Sequence, residues 1–114
     1  MPYLTKTLEG LSALSQEIRL KTFRMLMSAG EDGLSAGLIS TELDVAPNKL
    51  SAHLSVLTRA GLITVRRSGR NMIYSADVEA VSVLLKQVIE TCCNNDPSLC
   101  RSLTNAVSGK ASCS

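Results

Sequence analysis

Residues 90–100, ETCCNNDPSLC, hold three of the chain's four cysteines: Cys92, Cys93 and Cys100. Thiolates are soft donors, and no histidine stands near them. Three sulfurs make a poor four-ligand zinc site. They suit an ion that takes three sulfurs and keeps its own lone pair, namely trivalent arsenic or antimony. Two other chemistries fit the same residues. Cys100 could close a disulfide onto Cys92 or Cys93 in an oxidant or persulfide switch. Alternatively, the cysteines could pack as small hydrophobes. Cys113 stands between serines near the chain end and reads as incidental, or as a fourth sulfur for cadmium, lead or zinc.

The segments around these thiols decide how they could meet. DVEAVSVLLKQVIETCC repeats Val78, Val81, Leu84, Leu85, Val88 and Cys92 at helical spacing, with Asp77 as its N-cap. Neighbouring positions on a helix diverge by about 100°, so the helix end must loosen before Cys92 and Cys93 share one ion. Asn94 and Asn95 tolerate the left-handed conformation that loosening requires. Asp96-Pro97 then reads as an N-cap followed by Pro at the first helical position, placing Cys100 one turn into a short helix. That helix N-terminus, and Arg101, favour the thiolate form of Cys100.

The rest of the chain is one domain's worth: 114 residues, 45% of them apolar, with three aromatics. No apolar run is long enough to cross a bilayer, and the start MPYLTKTLEG lacks a signal-peptide core. The expectation is a cytoplasmic protein with reduced thiols and no membrane partner. Net charge is +2, but Pro47 to Ala76 contains no acid and carries Lys49, Arg59, Arg66, Arg67 and Arg70. A +5 window against −3 elsewhere is the footprint of a polyanion partner.

That window sits on a recognisable pattern. Leu8, Leu11, Leu14, Ile18, Phe23, Leu26 and Met27 follow helical spacing up to Gly30, with a break at Ser15-Gln16-Glu17. Ser35 caps a helix ending near Leu43, and Pro47 opens another that buries Leu50, Leu54 and Leu57 and stops at Gly61. LITVRRSGRNMIYSA then reads as a β-hairpin, with Ile63 and Val65 on one side and Arg67-Ser68-Gly69-Arg70 as its turn. Two helices and a basic hairpin make a winged helix-turn-helix. Asn48, Lys49, Ser51, Ala52, His53 and Ser55 lie off the leucine face, where a helix entering the major groove meets bases and phosphates. Arg66, Arg67 and Arg70 on the wing suit phosphates or a narrow minor groove. His53, between core leucines, could instead be half buried and structural.

The stretches LSALSQEIRLKTFRML and LISTELDVAPNKLSAHLSVLTRAGLITVRRSGRNMIYS resemble the ArsR/SmtB family of metalloregulatory winged-helix repressors, over about residues 4 to 93. The resemblance implies a mainly α fold (α+β), a homodimer, and operator DNA released when a metal or metalloid ion binds. Many arsenical sensors of the family carry cysteines in the first helix of the pair, but STELDVAP has Asp44 there. Its zinc sensors use carboxylates and histidines on the last helix, and this one has Asp77 and Glu79 without histidine. The chain does resemble the few arsenical repressors with a Cys-Cys pair and a third cysteine after the last helix.

The expected organisation is therefore about five helices and a wing over residues 1–93, for DNA binding and dimerisation. Residues 94–114 form an extension with the third cysteine and a flexible tail. Leu4, Leu8 and Leu11, with Val81, Leu84, Leu85 and Val88, would supply the dimer face. A thiol enzyme is disfavoured by a single histidine, no glycine-rich phosphate loop and little volume for a pocket. A metallochaperone without DNA would leave the basic window unexplained.

Overall fold

The computed structural model describes residues 3–94 and 96–108. The helices are α1 (Leu4–Leu14), α2 (Glu17–Ala29), α3 (Ala36–Leu43), α4 (Pro47–Arg59), α5 (Val78–Cys93) and α6 (Pro97–Ser108). The strands are β1 (Leu34–Ser35), β2 (Ile63–Ser68) and β3 (Asn71–Ala76), and a 3₁₀ turn at Gly30–Asp32 joins α2 to β1. This is a mainly α winged helix-turn-helix, with six helices and a three-stranded antiparallel sheet in the order β1-β3-β2.

Local chemistry sets most boundaries. The Gln16 side chain accepts from Arg19 N–H and starts α2, while Gly30, at φ 67°, ends it. Ser35 and Asp77 accept from the amides of Leu38 and Ala80, the caps expected of them. The fully buried core side chains include Leu26, Ile39, Leu50, Leu54, Leu57, Leu62 and Ile63, so α2, α3, α4 and the start of β2 share one core. Phe23, Val81 and Leu84 extend that core to α5.

The wing differs from expectation in two ways. Ser68 pairs with Asn71, so Arg67 and Ser68 belong to the ladder and the turn is Gly69-Arg70 alone. Gly69 has φ 63°, the sign a two-residue hairpin of type II′ needs at its first position. Val65 is 39% exposed, because β2 has left the helical layer after Ile63 and nothing covers its apolar face.

β1 is too short to leave a periodic signal, yet it fixes the wing's base. Leu34 pairs with Tyr74 and Ser35 with Ile73. Gly33 precedes it at φ 70°, where an added Cβ would collide with the Tyr74 carbonyl and lie 2.6 Å from Ser75 Oγ. Gly33→Ala should therefore cost about 2–4 kcal/mol, combining left-handed strain with a backbone clash. Urea unfolding checks this, and an unchanged midpoint would contradict the packing.

Candidate nucleic-acid interface and thiol site

α4 is held by its leucines. Leu50, Leu54 and Leu57 are buried, which turns Asn48, Lys49, Ser51, Ala52 and Ser55 outward as an exposed set. The turn before it is fixed from both sides. Asp44 adopts the left-handed conformation at φ 54°, and Ser40 Oγ donates to the Val45 carbonyl. Pro47 occupies the first turn of α4, which carries no acid there, so the helix N-terminus favours an anion; Lys49 N–H donates to Asn48 Oδ1 at 3.0 Å.

His53 is half-buried and tied into the chain. Its Nδ1 lies 3.2 Å from Arg19 Nη1. Arginine only donates, so Nδ1 accepts and the proton of neutral His53 sits on Nε2. Arg19 is itself anchored, donating from Nε to the Ala13 carbonyl at 2.7 Å and from Nη2 to that of Ser12 at 3.4 Å. Burial first, then the charges of Arg19 and Lys49, hold the His53 pKa below its usual value. His53 thus combines both readings: one nitrogen braces α4 against the α1–α2 junction, and only the other can meet DNA.

The three wing arginines separate. Arg66 donates from Nη2 to the Asp32 carbonyl at 3.0 Å and from Nη1 to that of Glu31 at 3.4 Å. Its guanidinium ties the wing to the 3₁₀ turn. Arg67 and Arg70 are exposed and have no partner among the described residues.

The thiols also separate. Cys93, in the last turn of α5, is fully buried; Cys100, in the first turns of α6, is half-buried; Cys92 is exposed. The Cys93 and Cys100 side chains are neighbours at the α5–α6 junction. Burial first, then Cys100, with smaller effects of Cys92 and Asp96, pushes the Cys93 thiol up to about 11. Asp96 sets the pair's geometry through its backbone. Its N–H donates to the Cys93 carbonyl at 2.9 Å, and its carbonyl accepts from Cys100 N–H at 3.0 Å. Its carboxylate accepts from Ser98 N–H at 2.9 Å, the cap expected for α6. Asn94 ends α5 in the left-handed conformation at φ 51°. Asn95, Cys113 and the tail from residue 109 lie outside the described residues. Among the described residues, no three His, Cys, Asp or Glu side chains stand at metal-binding spacing. Cys93 is buried beside Cys100 while Cys92 is exposed, in keeping with the helical angle between Cys92 and Cys93.

Residues 14–66 match the family model described as a helix-turn-helix domain. A Halobacterium salinarum protein named as arsenical resistance operon repressor ArsR is 38% identical over 84 residues, or 74% of this chain. The chain belongs to the ArsR family of transcription regulators. The aligned region spans 64% of that relative's length. The transcriptional activator HlyU of Vibrio cholerae is 33% identical over 81 residues, 68% of this chain and 72% of that one. Among solved structures, an ArsR-like regulator from Rhodococcus sp. RHA1 superposes with a TM-score of 0.74 at 21% identity, covering 97% of this chain and 100% of that one. The relatives of this ArsR-family chain are regulators of transcription, not enzymes.

In this ArsR-family protein the residue that sequence reasoning missed is Arg19. It reaches α4 from a helix 34 residues away in sequence, and nothing local to Arg19 marks it. The signal lay in His53, a lone histidine among leucines, which needs a partner once half-buried.

Proposed function

We propose that this ArsR-family protein is a repressor that binds operator DNA as a homodimer and releases it when trivalent arsenic or antimony is captured by Cys92, Cys93 and Cys100. The observation that carries the effector half is the α5–α6 junction, where the Asp96 backbone bonds the backbones of both Cys93 and Cys100 and sets their thiols beside each other. The third thiol requires opening the last turn of α5, and the left-handed Asn94 is where that turn can give. The H. salinarum relative's name supports the arsenical reading. Residues 1–93 would bind DNA and dimerise, and residues 94–114 would carry the third ligand. No described helix is long and apolar enough to cross a membrane; a cytoplasmic setting, where thiols stay reduced, belongs to the same proposal. An electrophoretic shift with duplex operator, with and without arsenite, tests it. No shift, or a shift indifferent to arsenite, would refute it.

On the DNA side, Asn48, Lys49, Ser51, Ala52 and Ser55, with Nε2 of His53, would face the major groove, and Arg67 and Arg70 the phosphates. Arg67→Ala or Arg70→Ala should weaken binding to every sequence and lower the salt slope by about 0.9 each. Arg66→Ala should act mainly through the wing's attachment. Arginine variants that bind like the parent at every salt concentration would remove the wing from the interface.

A second reading is favoured by the same junction. Cys93 and Cys100 are neighbouring thiols; joined as a disulfide by persulfide or peroxide, they would release DNA without metalloid, and reductant would reverse it. The arms of the shift assay separate the two.

A further inference from the structure

We infer that Arg19 is a positioning residue that ties α1 to the recognition helix α4 and so lets a dimer measure the spacing of two operator half-sites, an inference that rests on the operator-binding dimer proposed above. One guanidinium bridges the two helices. Nε donates to the Ala13 carbonyl at 2.7 Å and Nη2 to the Ser12 carbonyl at 3.4 Å, both in the last turn of α1. Nη1 lies 3.2 Å from Nδ1 of His53, midway along α4. Arg19 itself stands on α2, so it joins two helices other than its own. Among the described residues, no other side-chain hydrogen bond links α4 to α1 or α2.

Apolar packing between α1 and α4 is thin. α4 is seated by Leu50, Leu54 and Leu57 in a core that Leu26, Ile39 and Leu62 complete. Of α1, that core takes Ala13, with Leu14 partly buried against it. Elsewhere the two helices part around a cleft of about 760 Å³, lined by Leu8, Ser12, Val56 and Arg59 among others. α1 leans instead on α5, through Gly10 against Leu84 and the Thr7–Gln87 hydrogen bond. Leu4, Leu8 and Leu11 of α1 are exposed where a second copy would sit. Whatever fixes α1 to α4 therefore fixes the separation of the two recognition helices in a dimer.

The chemistry of each bond suits a rigid tie. The last carbonyls of a helix lack intrahelical partners and favour a cation, and α1 has no basic residue in its own last turn. Nδ1 accepts only while His53 is neutral. Burial, then the charges of Arg19 and Lys49, keep its pKa below the usual value and so preserve that form. A guanidinium presents its donors in a fixed planar fork, which holds both helices at one angle. A lysine ammonium has the charge without the fork.

The test uses the full chain and an operator duplex that it selects from a random pool. Two probes are compared with that duplex: one with a base pair inserted between the half-sites, and a single half-site. The insertion moves one half-site by about 3.4 Å and turns it by about 34°. Arg19→Ala should lower the preference for the selected spacing about tenfold, the worth of one hydrogen bond to a charged group. Its affinity for the single half-site and its salt slope should match the parent's. Arg19→Lys should behave like Arg19→Ala, and His53→Leu should flatten the preference from the other end of the tie. His53→Asn keeps an acceptor near Nδ1 and loses Nε2, so it should bind every spacing more weakly yet keep the preference. If Arg19→Ala or Arg19→Lys retains the parent's preference, the inference falls. It falls equally if Arg19→Ala weakens the single half-site and lowers the salt slope by about 0.9, which would make Arg19 a phosphate contact. Should Arg19→Ala fail to fold by circular dichroism, His53→Leu decides the matter. A parent that selects a site with no two-fold repeat removes the dimer and this inference with it; one that selects no site refutes operator binding itself.

Discussion

Replacing Cys92, Cys93 and Cys100 together by serine should leave operator affinity nearly unchanged and abolish its release by arsenite. The three positions lie at the α5–α6 junction, remote in sequence from α4 and the wing, so DNA contacts should survive. Cys93→Ser costs the most in stability, because that side chain is fully buried; a hydroxyl in its place costs about 1–3 kcal/mol. Release needs only a modest coupling: about 1–3 kcal/mol changes affinity roughly five- to 150-fold. Its route is short. α5 packs on α1 through Leu84 against Gly10, where an added Cβ would lie 2.9 Å from Leu84 Cδ2. Thr7 Oγ1 also donates to Gln87 Oε1 at 2.8 Å. A change at the end of α5 therefore reaches α1 and whatever α1 packs against. Linkage requires operator DNA to weaken metalloid binding by the same factor. Single serine variants at the three positions should blunt release, and Cys113→Ser should respond as the parent does. A triple variant that still lets go of DNA on adding arsenite would remove these cysteines from the mechanism.

Leu8→Glu with Leu11→Glu should convert a dimer to a monomer and lower operator affinity by about 10²- to 10⁴-fold, the avidity lost when two half-sites are no longer held together. Leu4, Leu8 and Leu11 are 37%, 56% and 41% exposed on α1, and Val83 on the neighbouring α5 is 49% exposed. Such a face is explained if a second copy covers it, as a two-fold dimer does with its own surface. The expected set changes in the structure: Val81 and Leu84 are buried within the chain, Val88 is half-buried, and Leu85 lines a cleft beside α6. Because Leu8 and Leu11 are already exposed, glutamate there should not unfold the protomer, which circular dichroism would check. Sedimentation at micromolar concentration decides the matter; a parent that is monomeric and binds DNA as a monomer would defeat the dimer.

Sequence by itself determined what neighbouring residues decide. The caps at Ser35, Asp77 and Asp96, the stop at Gly30 and the left-handed Asn94 are all written within a few positions of where they act. The leucine spacing of α4 equally determined which of its side chains face outward, since that face follows from the helical repeat. The angle between Cys92 and Cys93 was legible for the same reason. Tertiary structure alone decided that Arg66 grips the 3₁₀ turn instead of facing outward like Arg67, and that Arg19 holds one nitrogen of His53. It also decided that β1 exists, that Gly33 must be glycine, and that Cys93 is buried beside Cys100 while Cys92 is exposed. Helical phase and capping arise from bonds between residues within about one turn, so the local residue order encodes them. The partners of Arg19, Arg66 and Thr7 lie 34 to 80 residues away in sequence, and only packing of the whole core brings them within hydrogen-bonding distance.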